Sequence, residues 1–304
     1  MEKESVVLGI KDERVFESDE ALDLIRRLLP YPSPDANKYS RGKLVVVAGS
    51  ARYPGAAVLA ARAGQRMGAG YTEVVTAPQA ATIALNASPS LVVRSLDDWK
   101  PTDIPQFTPA KPVAVCLGPG FDSSDDRCND LVFEVLGAAE CPVIVDGGAL
   151  SALEQIRAER FLERRADAGW PTVITPHGGE AARLGSAWGL DVASFDQEDF
   201  AMELADRLCC TVVLKGPDTV VACSDQSFRM GFGGPELAKA GTGDVLAGMV
   251  GALLAQGMNA FDAVFLAVGL HALAGAAAAE QLTSISVCAE DVLDSIPDVL
   301  RRIS

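Results

Sequence analysis

The feature that most constrains the fold is a regular alternation of short apolar runs with longer helical segments. Residues 43–48 (KLVVVA) lie between Gly42 and Gly49 and are apolar after the first lysine, which is typical of a strand buried on both faces. Further strand candidates are residues 71–77, 113–117, 142–146, 172–175 and 211–215, with helical patterns at 55–67 and near 127–139, 149–166 and 196–208. Strands that alternate with helices predict an α/β fold whose mostly parallel sheet is covered on both faces.

The remaining segments complete this architecture without dividing it. Residues 18–29 form an amphipathic helical pattern, residues 220–222 and 227–230 suggest a hairpin, and the last 60 residues indicate helices starting at Asp244, near Ala260 and near Glu290. No linker separates these parts, so we predict a single domain over residues 1–304, with an N-terminal extension over residues 1–35 that contains a helix. The apolar segment 263–279 is about 17 residues long, shorter than the roughly 20 of a membrane span, and is predicted to be a buried core helix.

The overall composition argues against several classes of partner. The 304 residues include 41 acidic and 26 basic ones, which gives a formal net charge of -15. This balance argues against nucleic acid or an anionic membrane as the partner. The seven cysteines form no C-x-x-C pair, which argues against a disulfide framework or a zinc site. Because the first 30 residues are too acidic for a signal peptide, a cytoplasmic location is expected.

The loops that follow the strand candidates are the expected ligand-binding edge, because parallel sheets bind ligands at the carboxyl ends of their strands. These loops combine glycines, which let backbone amides approach a ligand closely, with side chains that carry chemistry. They are Gly49-Ser50, Gly118-Pro119-Gly120, Asp146-Gly147-Gly148, residues 176–180 (PHGGE) and Lys215-Gly216.

The segment Gly241-Thr242-Gly243-Asp244 directly precedes a strongly helical stretch, VLAGMVGALLAQG. A helix start presents free amides and the positive end of the helix dipole, which together favour phosphate. In a purely structural interpretation, Asp244 is the helix N-cap. In the functional interpretation, Asp244 is a base that takes a proton from a substrate hydroxyl, while the amides of Gly241 to Gly243 hold the developing phosphate charge.

Two other strand-end segments carry candidate ligands. Lys215 can contact phosphate as a point charge, and Thr219 can bond a ribose or phosphate oxygen. His177 and Glu180 have the H-x-x-E spacing, which would place both on one face at the start of a helix. Glu180 is either a carboxylate of the first helical turn or a residue that holds a magnesium–phosphate cluster through water.

The other histidine and one further carboxylate also bear on a metal site. A zinc site is disfavoured because His271 lies in the middle of an apolar helix, where packing or hydrogen bonding within the core is expected. Asp146 ends a buried strand and is either a structural cap or a second carboxylate linked to magnesium.

Taken in order, these motifs resemble one protein family over residues 35–280. They are similar to the bacterial ADP-dependent NAD(P)H-hydrate dehydratases, a branch of the ribokinase-like superfamily. The GTGD motif alone fits any ribokinase-like kinase, but its combination with TPH-x-GE and GS-x-x-Y-x-GA is more specific. The resemblance implies a three-layer α/β/α ribokinase-like fold with a mostly parallel central sheet. The matching segments are GKLVVVAGSARYPGAAVLAARAGQRMGAGYTEVVTAP, CLGPGF, VIVDGGAL, VITPHGGEAARL, VVLKGPDTVV and AGTGDVLAGMVGALLAQG.

The resemblance implies a lyase that repairs hydrated NADH and NADPH. It would transfer the terminal phosphoryl group of ADP to the hydroxyl of the S-form hydrate and then eliminate phosphate, leaving AMP. The residues that would hold ADP are Lys215, Gly216, Pro217, Asp218, Thr219 and Gly243. The residues that would contact the hydrated dinucleotide are Ala56, Gly120, His177 and Asp244. The catalytic group would be Asp244 with Gly241 and Gly243, and Glu180 would hold Mg²⁺ through water.

The resemblance also bears on partners. It implies a homo-oligomer such as a homotetramer, and a separate NAD(P)H-hydrate epimerase that supplies the S form, since the epimerase domain fused to many relatives is not in this sequence.

The sequence departs from the family's pattern at two places, which keeps two rival functions open. Gly148 and Ser151 stand where the family's D-A-D-A-L-N has aspartate and asparagine, and residues 233–239 (GGPELAK) differ from the common N-P-G-M-A. The nearest rival is an ATP-dependent kinase of a small hydroxylated metabolite. The second rival is a non-catalytic nucleotide-binding protein.

Overall fold

The computed structural model describes residues 14–16 and 18–304, and its central feature is one sheet of ten strands. Residues 1–13 and 17, part of the predicted N-terminal extension, lie outside the described residues. The strands are β1 (Arg14–Phe16), β2 (Lys43–Val47), β3 (Tyr71–Thr76), β4 (Val92–Ser95), β5 (Val113–Leu117), β6 (Val143–Val145), β7 (Thr172–Ile174), β8 (Thr211–Leu214), β9 (Thr219–Cys223) and β10 (Gln226–Met230).

Ten α-helices connect these strands or follow them in the described part of the chain. They are α1 (Ser18–Leu28), α2 (Pro54–Arg66), α3 (Pro78–Ala87), α4 (Asp126–Ala138), α5 (Ala158–Asp167), α6 (Gly178–Ala187), α7 (Gln197–Arg207), α8 (Thr242–Ala255), α9 (Ala260–Leu282) and α10 (Ala289–Ile303). Short 3₁₀ helices include Gly147–Glu154 after β6 and Pro235–Leu237 before α8.

The sheet is mostly parallel, as predicted. Its order is β1-β10-β9-β8-β7-β6-β5-β2-β3-β4, and β9 is antiparallel to both of its neighbours. All other neighbouring strands among the described residues are parallel. The predicted hairpin is confirmed, since β9 and β10 are joined by a tight turn in which Cys223 pairs with Gln226.

Helices cover both faces of the sheet and give the three-layer architecture. Side chains of α1, α2, α8, α9 and α10 form one apolar core with one face of the strands. Side chains of α4, α5, α6 and α7 form the second core on the opposite face. Because the strands between them are buried on both sides, they appear in the sequence as continuous apolar runs.

Helix α8 packs unusually close to its neighbours, and this fixes the position of its first turn. A Cβ atom at Gly248 would lie 2.0 Å from the carbonyl oxygen of Ala60 on α2. A Cβ atom at Gly251 would lie 2.9 Å from the Leu44 side chain on β2 and 3.3 Å from Cys116 on β5. Glycine at these two positions therefore lets α8 lie directly on α2 and on the centre of the sheet.

The prediction for the apolar segment 263–279 is confirmed, because this segment lies in the core helix α9. By length and composition alone α9 would suffice to cross a membrane, but 89% of its most apolar window is buried inside the protein. Phe265 and Leu266 on this helix are fully buried.

Several predicted elements need correction. The helix predicted over 149–166 is wrong as a single element, because the chain forms the 3₁₀ helix Gly147–Glu154, becomes extended at Gln155 (ψ 136°) and only then forms α5. The 3₁₀ segment brings Leu150 and Leu153 into the core. The sequence patterns also missed α3 and β4, since β4 is an edge strand that exposes Val92 and lacks a continuous apolar run.

Candidate active site

The loops after β2, β5, β6, β7 and β8 meet at the carboxyl edge of the sheet. Gly49 donates a backbone hydrogen bond to the carbonyl of Pro119 (2.8 Å), which joins the loop after β2 to the loop after β5. A Cβ atom at Gly118 would lie 2.3 Å from the carbonyl oxygen of Asp146, so the loops after β5 and β6 also touch. The strand-end position of these loops was expected from the parallel sheet alone.

Lys215 lies at the centre of this edge and is not the solvated lysine that usually ends a strand. Its side chain is only 22% exposed, and its Nζ donates to Oδ1 of Asp146 at 3.0 Å. Burial alone would lower the pKa of Lys215, but the charges of Asp146, Glu180 and Asp244 outweigh it and raise the pKa. The ammonium group therefore keeps its positive charge at the site.

Asp146 is buried, with 2% of the residue exposed, and its side chain does not cap the 3₁₀ helix that follows it. Its Oδ1 accepts hydrogen bonds from the Lys215 ammonium and from the Thr175 hydroxyl. Asp146 thus links the ends of β6, β7 and β8. The sequence predicts Asp146 either as a structural cap or as a metal-linked carboxylate and does not include it among the expected site residues, although its place at the end of a buried apolar strand is a usable signal.

The Gly241–Asp244 turn opens α8, with Gly241 as the N-cap in a left-handed conformation (φ +94°). Glycine suits this conformation because it has no Cβ atom to clash. The hydroxyl of Thr242 donates to the carbonyls of Leu237 (2.7 Å) and Lys239 (2.8 Å), which ties the turn to the preceding segment. Since Gly241 holds the cap position, the structural interpretation of Asp244 as the N-cap is wrong.

Asp244 lies in the first turn of α8, close to two other charged groups. Burial first and the negative charge of Asp146 second raise the pKa of Asp244 from 3.8 to about 7, against the charge of Lys215, which lowers it. A Cβ atom at Gly243 would lie 3.2 Å from Nζ of Lys215, so the ammonium group lies against the same turn. The first amides of a helix have no intrahelical partner, so this turn combines free N–H donors, a cation and a basic carboxylate.

His177 and Glu180 lie side by side at the start of α6. Oε2 of Glu180 accepts from the backbone N–H of His177 (2.9 Å), and Nδ1 of His177 accepts from the N–H of Gly179 (3.0 Å). Nε2 of His177 lies 3.5 Å from Oε2 of Glu180. Glu180 is therefore a first-turn capping carboxylate, and it is also near enough to Lys215 to raise the pKa of that lysine.

A cavity of 560 Å³ lies beside the turn, between the loop after β8 and helix α9. Four of the residues expected to hold a nucleotide line it together with Gly243: Lys215, Gly216, Pro217 and Thr219. The sixth residue of the expected set, Asp218, does not line the cavity; it is half-exposed, and its Oδ2 lies 3.7 Å from the Arg229 guanidinium. The rest of the wall is largely apolar and includes Phe232, Leu246 and Val268.

The two small residues expected to contact the dinucleotide touch each other. Gly120 has a φ of +71°, and a Cβ atom there would lie 2.6 Å from Cβ of Ala56 and 2.6 Å from the carbonyl oxygen of Tyr53. The loop after β5 therefore runs from Asp146, which Gly118 contacts, to the first turn of α2.

Both departures from the family's sequence pattern have a local structural counterpart. A Cβ atom at Gly148 would lie 2.2 Å from the carbonyl oxygen of Phe121, so the chain leaves no room for an aspartate there. The hydroxyl of Ser151 donates to the carbonyl of Gly148 (2.8 Å). A Cβ atom at Gly234 would lie 2.3 Å from Oε2 of Glu236, so the buried Glu236 side chain fills the space that a side chain at position 234 would take.

The residues that could hold a metal ion are few. Among the described residues, no group of three His, Cys, Asp or Glu side chains has the arrangement of a metal site. The carboxylates grouped around Lys215 are Asp146, Glu180 and Asp244. Such a set suits Mg²⁺, which keeps most of its waters and binds through one or two carboxylates together with substrate phosphates.

Comparison with known proteins gives a consistent result. The family model described as NAD(P)H-hydrate dehydratase matches residues 44–298. The chain is 33% identical over 286 residues to the ADP-dependent (S)-NAD(P)H-hydrate dehydratase of Xanthomonas campestris, covering 91% of this chain and 94% of that protein. It is 34% identical to the bifunctional NAD(P)H-hydrate repair enzyme of Thermofilum pendens, covering 90% of this chain but only 53% of that protein.

A solved structure agrees with these sequence relatives. The ADP/ATP-dependent NAD(P)H-hydrate dehydratase of Bacillus subtilis, co-crystallized with ATP and Mg²⁺, superposes with a TM-score of 0.80 at 28% identity. The match covers 97% of this chain and 100% of that one, so the similarity extends over the whole three-layer architecture.

Proposed function

The chain belongs to the NAD(P)H-hydrate dehydratase family of hydro-lyases, and we propose that it uses ADP to dehydrate the S forms of hydrated NADH and NADPH, with release of AMP and phosphate. The observation that carries the proposal is the first turn of α8. There a carboxylate with a pKa of about 7 lies beside a charged lysine and free helix amides. The rival functions, a metabolite kinase and a non-catalytic binder, have no comparable support.

Asp244 is the proposed base. A carboxylate with an ordinary pKa near 4 would be a weak proton acceptor, whereas a pKa near 7 is matched to proton transfer at neutral pH. Asp244 takes the proton from the ring hydroxyl as that oxygen attacks the terminal phosphorus of ADP. The bond between this phosphorus and the bridging oxygen breaks, and AMP leaves with the electron pair.

Lys215 and the first amides of α8 stabilise the negative charge that spreads over the transferred phosphoryl group. Lys215 is held in place by its hydrogen bond to Asp146, so little reorganisation is needed during the transfer. The N–H of Gly243 lies in the first turn of α8, at the positive end of the helix dipole and beside the Lys215 ammonium group.

The second half of the reaction discards the phosphate that the first half attaches. Hydroxide leaves poorly, whereas a phosphate ester leaves with its oxygen as a stable anion. The carbon–oxygen bond breaks and its electron pair leaves with the phosphate. A neighbouring ring carbon gives its proton to water, and the electron pair of that carbon–hydrogen bond restores the double bond of the dihydronicotinamide ring.

The proposed ligand positions follow the two halves of the site. ADP lies in the cavity beside Lys215, Gly216, Pro217 and Thr219, with its phosphates at Gly243. Asp218 belongs to the same loop, and its carboxylate lies 3.7 Å from Arg229 on β10. The hydrated dinucleotide lies over the loops that carry Ala56, Gly120, His177 and Asp244.

We further propose Mg²⁺ as the cofactor, held through water by Glu180 together with the ADP phosphates. Its oxygen-only chemistry fits the carboxylates near Lys215, and it would neutralise part of the phosphate charge. In the cell, we propose a cytoplasmic homo-oligomer, such as a homotetramer, that works with a separate epimerase. The fusion of both activities in bifunctional relatives, about twice as long as the part that this chain matches, supports such a partnership.

The direct test follows the absorbance of the dihydronicotinamide ring after mixing the protein, Mg²⁺, ADP and hydrated NADH. We expect the absorbance to recover, and we expect Asp244→Asn to slow the recovery by about 10²–10⁴-fold. The matched control is Asp126→Asn, which removes an exposed carboxylate from the first turn of α4 and should leave the rate unchanged. If neither ADP nor ATP restores absorbance with the wild-type protein, the proposed function is wrong.

A further inference from the structure

His271 is the one buried histidine, and it takes no part in the chemistry proposed above. It lies on α9 with 7% of the residue exposed, and its Nε2 lies 3.0 Å from the carbonyl oxygen of Thr242 at the start of α8. Its ring also lines the cavity in which we place ADP.

The hydrogen bond to Thr242 fixes the tautomer of the ring. A carbonyl oxygen only accepts, so Nε2 of His271 must carry the proton and donate. Burial, helped by the positive charge of Lys215, lowers the pKa of His271 to about 4, although the bond to Thr242 opposes this shift. The ring is therefore neutral near pH 7, and its other nitrogen, Nδ1, carries a lone pair that can only accept.

Nδ1 of His271 has no hydrogen-bond partner among the described residues, since the one bond of this side chain is made by Nε2. In the described part of the chain, the side-chain nitrogen and oxygen atoms that are fully enclosed and have no partner are the hydroxyls of Thr72 and Thr76. Nδ1 of His271 is not one of them, so it is not fully enclosed. Nδ1 is thus an open acceptor, and the space that the ring borders is the cavity.

The other groups on the cavity wall are of two kinds. Lys215 and Gly243 suit phosphate. The hydroxyl of Thr242 already donates to two carbonyls. The remaining wall near His271 is apolar and includes Val268 and Ala272, which suits a flat heterocyclic base.

From this arrangement we propose that His271 determines which purine the cavity accepts, with Nδ1 accepting a hydrogen bond from the 6-amino group of adenine. The inference rests on the proposed use of ADP and names the residue that reads its base. A 6-oxo purine such as hypoxanthine presents a lone pair at the same place, so two acceptors would face each other in a desolvated pocket. A buried acceptor gives selectivity mainly because the wrong ligand leaves it without a hydrogen-bond partner, which costs binding free energy.

The test compares binding of ADP and inosine diphosphate (IDP) to the full-length protein by titration calorimetry in the presence of Mg²⁺. We expect the wild-type protein to prefer ADP by about 10- to 100-fold in Kd, the range that corresponds to one buried hydrogen bond made or left unmade. His271→Phe removes both ring nitrogens. His271→Gln keeps an N–H donor that reaches the carbonyl of Thr242 but places no acceptor at the position of Nδ1. Both variants should reduce the preference to within about threefold.

The His271→Gln variant separates base recognition from a structural role. If His271 only braces the turn, His271→Gln binds both nucleotides as the wild type does and His271→Phe weakens both equally. The ratio of the two Kd values then stays at its wild-type value in each variant, which overturns the proposal. A wild-type protein that binds both nucleotides equally also overturns it. A shifted ratio without recovery of NADH absorbance leaves the base-reading role standing and refutes the dehydratase function. Recovery of absorbance with an unshifted ratio supports the dehydratase function and refutes the base-reading role of His271.

Discussion

The raised pKa of Asp244 predicts that this residue lowers the stability of the folded protein at neutral pH. In the unfolded chain the carboxyl ionises near its ordinary pKa of 3.8, whereas in the folded protein it ionises near 7. Between these values the folded state binds the proton that the unfolded state has released, so stability falls as pH rises. Above about pH 7 both states are ionised and the loss is complete. Asp244→Asn keeps the shape and removes the charge, so it should stabilise the protein.

The size of this effect follows from the shift itself. From 3.8 to about 7 is about three pKa units, and each unit corresponds to 1.36 kcal/mol, so the full gain is about 4 kcal/mol. About 2–3 kcal/mol of it should develop between pH 5 and pH 7, and none above pH 7.5. The gain arises from burial first and from the neighbouring charge of Asp146 second.

The assay is urea unfolding of wild type and Asp244→Asn at pH 5, 6, 7 and 8, with the free energy of unfolding extrapolated to water. The control is Asp126→Asn, which removes an exposed carboxylate from the first turn of α4 and should change stability by less than about 1 kcal/mol. The reasoning is refuted if Asp244→Asn is no more stable than wild type at pH 8, or if its advantage is the same at pH 5 as at pH 8.

Three further predictions follow from the same site. The wild-type kcat/KM should rise with pH through an apparent pKa of about 7. In Asp146→Asn this rise should occur at lower pH, because the negative charge that helps to raise the pKa of Asp244 is gone. A rise at the same pH as in the wild type contradicts this prediction. Lys215→Met should weaken ADP binding by about 10- to 100-fold in calorimetry, and an unchanged Kd would remove Lys215 from the nucleotide site. Gly120→Ala should lower stability by about 1–3 kcal/mol because its φ is +71° and the added Cβ meets backbone, whereas Gly55→Ala, where a Cβ meets nothing within 4 Å, should be nearly neutral in thermal unfolding.

The architecture was largely predictable because its strands are buried on both faces. Such strands appear as uninterrupted apolar runs, and Val113–Leu117 is found at the predicted residues. Edge elements lack this signal. Strand β4 exposes Val92 and was missed, and the segment from Gly147 to Glu154 formed a 3₁₀ helix whose apolar residues satisfy an α-helical pattern equally well.

The site was predictable in its loops but not in its internal contacts. The parallel sheet places the loops after β6 and β8 at one edge, yet 69 residues separate Lys215 from Asp146, and their ion pair appears only in the fold. The raised pKa of Asp244, on which its proposed role as a base depends, likewise comes from burial and from nearby charges that the local sequence does not encode. The tautomer of His271 is a similar case, because it is set by a carbonyl 29 residues away.

The central claim is that one site attaches a phosphoryl group to a hydroxyl and then discards it. It is tested most directly by counting products with phosphorus NMR and by absorbance in a single reaction of the protein, Mg²⁺, ADP and the S form of hydrated NADH. The account predicts one AMP and one inorganic phosphate for each NADH restored, with all three formed about 10²–10⁴-fold more slowly when Asp244→Asn replaces the wild-type protein. A phosphorylated dinucleotide that accumulates while NADH does not return, or AMP formed without NADH, would contradict it.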